Sequence, residues 1–248
     1  MNLAKYKKEY DDKGIVVIPN VFTVEEMERL KAEAYTITPS QISDAGYPHQ
    51  PFQYSSGHPA LVFYPAIVND YANAIRKDKR LTEIVKYWCG DNVKQVNNQI
   101  YFREAGDNDQ FAWHQDIVFR RPRERFPGVE QAYLQTIICV DDMTETNGGI
   151  EFIEGSHKHG EQAITSSSKV TEMLRVFKRN GLKGKKYTAS AGSVILWTCL
   201  TVHGSEANVS DSSRMTYMNG YCPADNCLDY PWAIKDGEAV DIDPKLIP

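Results

Sequence analysis

His114 and Asp116 stand two positions apart in Trp113-His-Gln-Asp116, within residues 112–119 that read as a strand. In an extended chain, side chains at i and i+2 leave the same face, so this imidazole and carboxylate project together. Such a pair can hold two coordination positions of a divalent cation and needs a third ligand from elsewhere. Of six histidines, His203 fits best: it follows the strong strand Gly192-Ser-Val-Ile-Leu-Trp197 and immediately precedes Gly204. Two histidines and one carboxylate on one face leave further positions open, the donor pattern of non-haem Fe(II) oxygenases. His157-Lys-His159 is a rival pair, but it follows the turn sequence Glu154-Gly-Ser156 and has no obvious third ligand.

Arg214 comes eleven positions after His203 and opens the alternating run Arg214-Met-Thr-Tyr-Met-Asn-Gly-Tyr221. Alternation places Arg214, Thr216 and Met218 on one face. A guanidinium fork can take a carboxylate bidentately, which a lysine cannot copy, and a dicarboxylate co-substrate needs such a group away from the metal. Gln99 and Arg103, four apart on a presumed strand over 95–103, also share a face. After the His-x-Asp segment comes Arg120-Arg-Pro-Arg-Glu-Arg125. At a cavity mouth, Arg121 and Arg123 could clamp a carboxylate, phosphate or phosphonate of a substrate, although such a run also reads as a solvated loop. Residues 38–59, with His49, Gln53, Tyr54 and His58, show no periodicity and read as a long loop that could close over a site.

The elements that must position these groups fall into two textures. Up to about residue 90 the pattern is mostly helical. Gly14–Pro19 reads as a short edge strand, and Thr23-Val-Glu-Glu26 is a capping box in front of a helix reaching about Tyr35. Further helices are expected at about 66–77 and 80–89. From Val93, short β-type runs succeed one another at 95–103, 112–119, 131–140, 150–153, 186–189, 193–199 and 214–221. This spacing predicts a barrel or jelly roll, not a parallel α/β sheet. The expectation is one domain over 1–248, a helical layer at about 21–90 on a β core at about 93–222.

Composition bounds the remaining choices. With 28 basic and 33 acidic side chains, the net charge of −5 argues against nucleic acid as the main partner. No apolar run approaches the roughly 18 residues of a membrane span, and the polar, lysine-rich start is unlike a secretory signal. Five scattered cysteines suit reduced thiols in a cytoplasmic protein better than a disulfide framework.

Taken in order, several segments resemble the phytanoyl-CoA dioxygenase family of Fe(II)/2-oxoglutarate oxygenases. These are Gln99-Ile-Tyr-Phe-Arg103, Trp113-His-Gln-Asp116, Val140-Asp-Asp-Met-Thr-Glu-Thr-Asn-Gly-Gly149, Ile153-Glu-Gly-Ser-His157, Gly192–Trp197, and His203-Gly-Ser205 with Arg214 beyond it. The resemblance implies a double-stranded β-helix, a jelly-roll relative of the cupins, mainly β with N-terminal helices. It implies iron on His114, Asp116 and His203, with the distal carboxylate of 2-oxoglutarate on Arg214 assisted by Ser205. It also implies that Gln99 and Arg103 line the co-substrate and substrate cavity, and it nominates Thr136 for the co-substrate and Gln135 for the substrate. Related halogenases lack the carboxylate ligand, so Asp116 favours hydroxylation or another oxidation, using O₂ and releasing succinate and CO₂. The expected substrate is a small metabolite, anionic if the arginine run is functional. Two rivals are a zinc or manganese cupin acting as isomerase or hydrolase without 2-oxoglutarate, and a non-catalytic binding module.

Overall fold

The computed structural model describes residues 2–162, 164 and 166–248. The chain opens with α1 (Leu3–Lys13), β1 (Ile15–Ile18), α2 (Val24–Ala34), α3 (Pro39–Asp44), β2 (Phe52–Ser55) and β3 (His58–Phe63). Next come α4 (Asp70–Lys77), α5 (Lys79–Cys89), β4 (Val93–Arg103), β5 (Phe111–His114), α6 (Val129–Ala132), β6 (Leu134–Cys139) and β7 (Ile150–Ile153). It ends with α7 (Ser167–Arg179), β8 (Gly184–Lys186), β9 (Val194–Thr198), β10 (His203–Ser205), β11 (Arg214–Pro223), β12 (Trp232–Lys235) and β13 (Glu238–Ala239).

The strands form two antiparallel sheets. The larger runs β1-β9-β6-β11-β4-β12-β13, with β3 also paired to β4 and β2 to β3; the smaller runs β5-β10-β7-β8. Strands adjacent in the sheets are mostly remote in sequence, as in a jelly roll. Period two then divides the central strands between two environments. On β4, Ile100 and Phe102 join the core shared with the helices, whereas Asn97, Gln99 and Tyr101 line a cavity. On β11, Met215 and Tyr217 do the former, and Arg214, Thr216 and Met218 the latter.

The helical layer covers the outer face of the large sheet. Met27, Leu30 and Ala34 of α2 and Leu81, Ile84 and Val85 of α5 are buried in that core. The α2 cap forms as read: the Glu26 amide donates to Thr23 Oγ1 (3.2 Å) and the Thr23 amide to Glu26 Oε2 (2.8 Å). Arg80 then clamps Glu26 through two nitrogens, tying α2 to the start of α5.

Four expectations need correction. Residues 38–59 are not one loop: Thr38 caps α3, with Gln41 closing its capping box, and β2 pairs with β3 in a hairpin. The strand expected over 112–119 stops at His114, and Asp116–Phe119 is a 3-10 turn. The strand expected at 186–189 lies instead at 184–186. Three helices, α1, α6 and α7, were not expected: α6 takes the start of the strand expected at 131–140, and in α1 and α7 polar and charged side chains outnumber apolar ones and obscure the helical stripe.

Gly192 knits the layers together. Its amide donates to the Cys139 carbonyl (2.8 Å), and its own carbonyl accepts from Val21 (3.0 Å) and Phe22 (2.9 Å). Its φ is +82°, and a Cβ there would collide with the Phe22 carbonyl oxygen. Gly192→Ala should therefore cost more than the roughly 1–3 kcal/mol of a left-handed non-glycine residue alone. Urea unfolding checks this, and a loss below about 0.5 kcal/mol would contradict the packing described.

Candidate active site

The small sheet brings the histidines together. β10 pairs antiparallel with β5 so that His203 lies opposite His114, their ring centroids 4.2 Å apart. Asp116 arrives by a different route from the alternation expected. After His114 the strand ends, the Gln115 side chain is fastened to the Leu200 (2.6 Å) and Gly160 (3.0 Å) carbonyls, and the Ile117 amide donates to Cys199 (3.1 Å). These bonds turn Asp116 back against the loop leading into β10. Its Oδ1 is then 3.9 Å from Nε2 of both His114 and His203.

The donors are aimed by a second layer of contacts. His114 Nδ1 lies 2.8 Å from the Ala112 carbonyl oxygen, and His203 Nδ1 3.0 Å from that of Thr201. A carbonyl accepts only, so each Nδ1 carries the proton and each Nε2 presents a lone pair. Trp197 donates from Nε1 to Asp116 Oδ2 (2.8 Å), leaving Oδ1 for the centre. Burial, reinforced by neighbouring His114, pushes His203 down to about 4, which keeps its imidazole neutral at ordinary pH. One nitrogen or oxygen from each residue falls within 4.8 Å of the others. Three converging lone-pair donors, each fixed by an outer partner, fit a divalent first-row cation such as Fe(II).

The triad opens into a cavity of about 630 Å³ between the two sheets. Gln99, Ser205 and Arg214 line it together with the three donors, as do Tyr101, Phe111 and Thr216. Arg214 pairs across β11–β4 with Arg103. Among the described residues the Arg214 guanidinium makes one protein hydrogen bond, from Nε to the Asn147 carbonyl (3.1 Å). Burial and the adjacent Arg103 push its pKa down to about 10. Arg103 lies behind the lining, reaching Ser205 Oγ (3.4 Å) and Asp107 (3.5 Å).

Other nominated residues lie elsewhere. Thr136 is fully buried and donates to the Asn219 carbonyl (2.9 Å), outside the lining. Gln135 sits behind the wall, accepting from Tyr133 Oη (2.7 Å). Arg121 and Arg123 are both spent on Glu161 (2.6 and 2.7 Å) and do not reach the cavity. The residue of that run that does is Arg120. Of the 38–59 segment, Gln53 lines the cavity, while His49 bonds the Pro248 carbonyl. Trp197 was read only as part of a strand; its place against Asp116 depends on strand order, which no local pattern reveals.

The family model described as "Phytanoyl-CoA dioxygenase (PhyH)" matches residues 10–216. This chain belongs to the phytanoyl-CoA dioxygenase family. Among curated relatives, a probable alpha-ketoglutarate-dependent hypophosphite dioxygenase of Stutzerimonas stutzeri is 24% identical over 90% of this chain and 79% of its own length. An ectoine dioxygenase of Stutzerimonas stutzeri strain A1501 is 24% identical over 92% and 80%. The crystal structure of EctD from S. alaskensis with 2-oxoglutarate and 5-hydroxyectoine superposes with a TM-score of 0.74 at 19% identity, covering 90% of this chain and 77% of that one. That likeness is one of fold, and it bears out the double-stranded β-helix. The family resemblance carried by the motifs is thereby borne out as well.

The Trp197–Asp116 bond gives a direct test. Trp197→Phe removes the donor while keeping an aromatic ring, and Fe(II) affinity should fall by about 10–100-fold, as for other outer-layer partners of metal ligands. An anaerobic Fe(II) titration measures it. Unchanged affinity in folded protein would show that the indole does not orient the carboxylate.

Proposed function

We propose that this chain is a non-haem Fe(II)/2-oxoglutarate-dependent dioxygenase, acting within one domain on a small metabolite. The observation that carries this reading is the convergence of two imidazoles and one carboxylate in a cavity whose other formally charged lining residues are Arg214 and Arg120. Family membership and the dioxygenase names of the relatives support the same activity. Those relatives are named for ectoine and hypophosphite, both small molecules.

His114, Asp116 and His203 would hold the metal through Nε2, Oδ1 and Nε2, leaving open positions on the cavity side. Fe(II) with 2-oxoglutarate and O₂ supplies the oxidation of a substrate C–H bond, with release of succinate and CO₂. Arg214 would take the distal carboxylate of 2-oxoglutarate, with Ser205 beside it. His203 and Ser205 lie two residues apart on β10 and both line the cavity with Arg214. Arg103, held by Asp107 and Ser205, would add positive potential at that end of the cavity, and the Asn147 carbonyl would keep Arg214 in place. Gln99, Tyr101, Phe111 and Phe119 would orient the substrate and exclude water from the reacting centre. No helix of the described residues is long and apolar enough to cross a membrane.

Two variants test the reading. Asp116→Ala should abolish O₂-dependent conversion of 2-oxoglutarate to succinate, and full retained turnover would overturn the ligand set. Arg214→Lys should raise KM for 2-oxoglutarate about 10–100-fold, matching the roughly 1.5–3 kcal/mol of a charge-assisted hydrogen bond. An unchanged KM would remove Arg214 from the co-substrate site.

A further inference from the structure

Arg120 is 96% buried in the sense that only 4% of it is exposed, yet it lines the cavity with Asp116, Asn97 and Phe119. Its Nη2 donates to Tyr133 Oη (2.5 Å), whose hydroxyl in turn donates to Gln135 (2.7 Å), and its guanidinium lies 4.3 Å from the centre of the Tyr133 ring. Nη2 also donates to the side-chain amide oxygen of Asn97 (3.0 Å), while Nε, itself buried, has no hydrogen-bond partner among the described residues. No carboxylate forms an ion pair with Arg120 among the described residues, in contrast to Arg121, Arg123 and Arg125, each of which has one. A buried guanidinium with an open donor is costly unless an anion completes it.

The charge balance of the cavity points the same way. Its formally charged lining residues are Asp116, Arg120 and Arg214. With a divalent cation on the triad, three positive charges remain; the two carboxylates of 2-oxoglutarate offset two of them. One positive charge is left, and Arg214 is already engaged.

We propose that Arg120 is the specificity-determining residue of the substrate subsite, binding one oxyanionic group, carboxylate or phosphonate, of the molecule to be oxidised. This rests on the dioxygenase reading above and deepens it by assigning the substrate class. Tyr133 and Gln135 are positioning residues: Tyr133 holds the guanidinium against the wall by its hydroxyl and its ring, and Gln135 fixes that hydroxyl. The clamp suggested by the arginine run is thus one residue upstream of the pair nominated from sequence.

Calorimetry on protein loaded with redox-inert Ni(II) and saturating 2-oxoglutarate tests this, with propionate and ethylphosphonate as the two anionic arms and propionamide as the neutral match. At least one anion should bind the unaltered protein, at least tenfold tighter than propionamide, and the arm that wins identifies the oxyanion. Arg120→Gln should weaken that binding at least tenfold while the Kd for 2-oxoglutarate stays within twofold. Tyr133→Phe, which keeps the charge and the ring, should weaken it about threefold, and Arg125→Gln, on the exposed Asp229 pair, should leave it unchanged. The proposal is overturned if neither anion binds, if propionamide binds as well as propionate, or if Arg120→Gln or Tyr133→Phe binds the anion as well as the unaltered protein. Equal loss of anion and 2-oxoglutarate in Arg120→Gln also overturns it, since Arg120 would then serve the co-substrate. Failure of the unaltered protein to bind 2-oxoglutarate at all would instead overturn the dioxygenase reading.

Discussion

Two imidazole lone pairs and a carboxylate oxygen, each within 4 Å of Asp116 Oδ1 or at it, cannot be held together cheaply without a cation between them. Much of the architecture meets that constraint. The β5–β10 pairing sets the histidines opposite each other. Backbone carbonyls of Ala112 and Thr201 fix both tautomers, and Trp197 fixes the carboxylate. Gln115, wholly buried, anchors the bend that swings Asp116 into range. The triad is therefore a property of two sheets and a bent segment, not of the three residues alone.

The second organising feature is positive charge kept in a largely apolar cavity. Arg214 and Arg120 both line it, each with donors left over after their protein contacts. In a low-dielectric wall such groups select anions by geometry as well as by charge, because each fork has a fixed plane. The outer arginines of the same loop have a different fate: Glu161 takes Arg121 and Arg123, and Asp229 takes Arg125. Buried Arg120 and the ion-paired Arg121 are thus adjacent residues of one loop.

The sequence made some of this legible and concealed the rest for physical reasons. His114, Asp116, His203 and Arg214 stood out because ligand chemistry tolerates few residue types and the motifs keep their order along the chain. Strand alternation alone was the wrong route to Asp116, which sits in a 3-10 turn. Gln135 and Thr136 were misleading because every residue of β6 is buried: Thr136 donates to the Asn219 carbonyl and Gln135 accepts from Tyr133 inside the wall, and neither lines the cavity. Arg120 could not be told from its neighbours, since a run of arginines has no period and only the turn decides which one is swallowed. Thr38 and Gln41 carried the same capping signal as Thr23 and Glu26, but α3 is only six residues long and too short to show an apolar stripe.

The proposed activity requires the triad and Arg214 together to seat a metal and its keto-acid partner. Anaerobic addition of Fe(II) and then 2-oxoglutarate to the purified protein tests it most directly, followed by visible absorption. Chelation of the iron by the keto acid should produce a weak metal-to-ligand charge-transfer band that is absent with Fe(II) alone and is lost in His203→Ala. No band in folded, iron-loaded protein, or a band that persists without His203, would contradict the account.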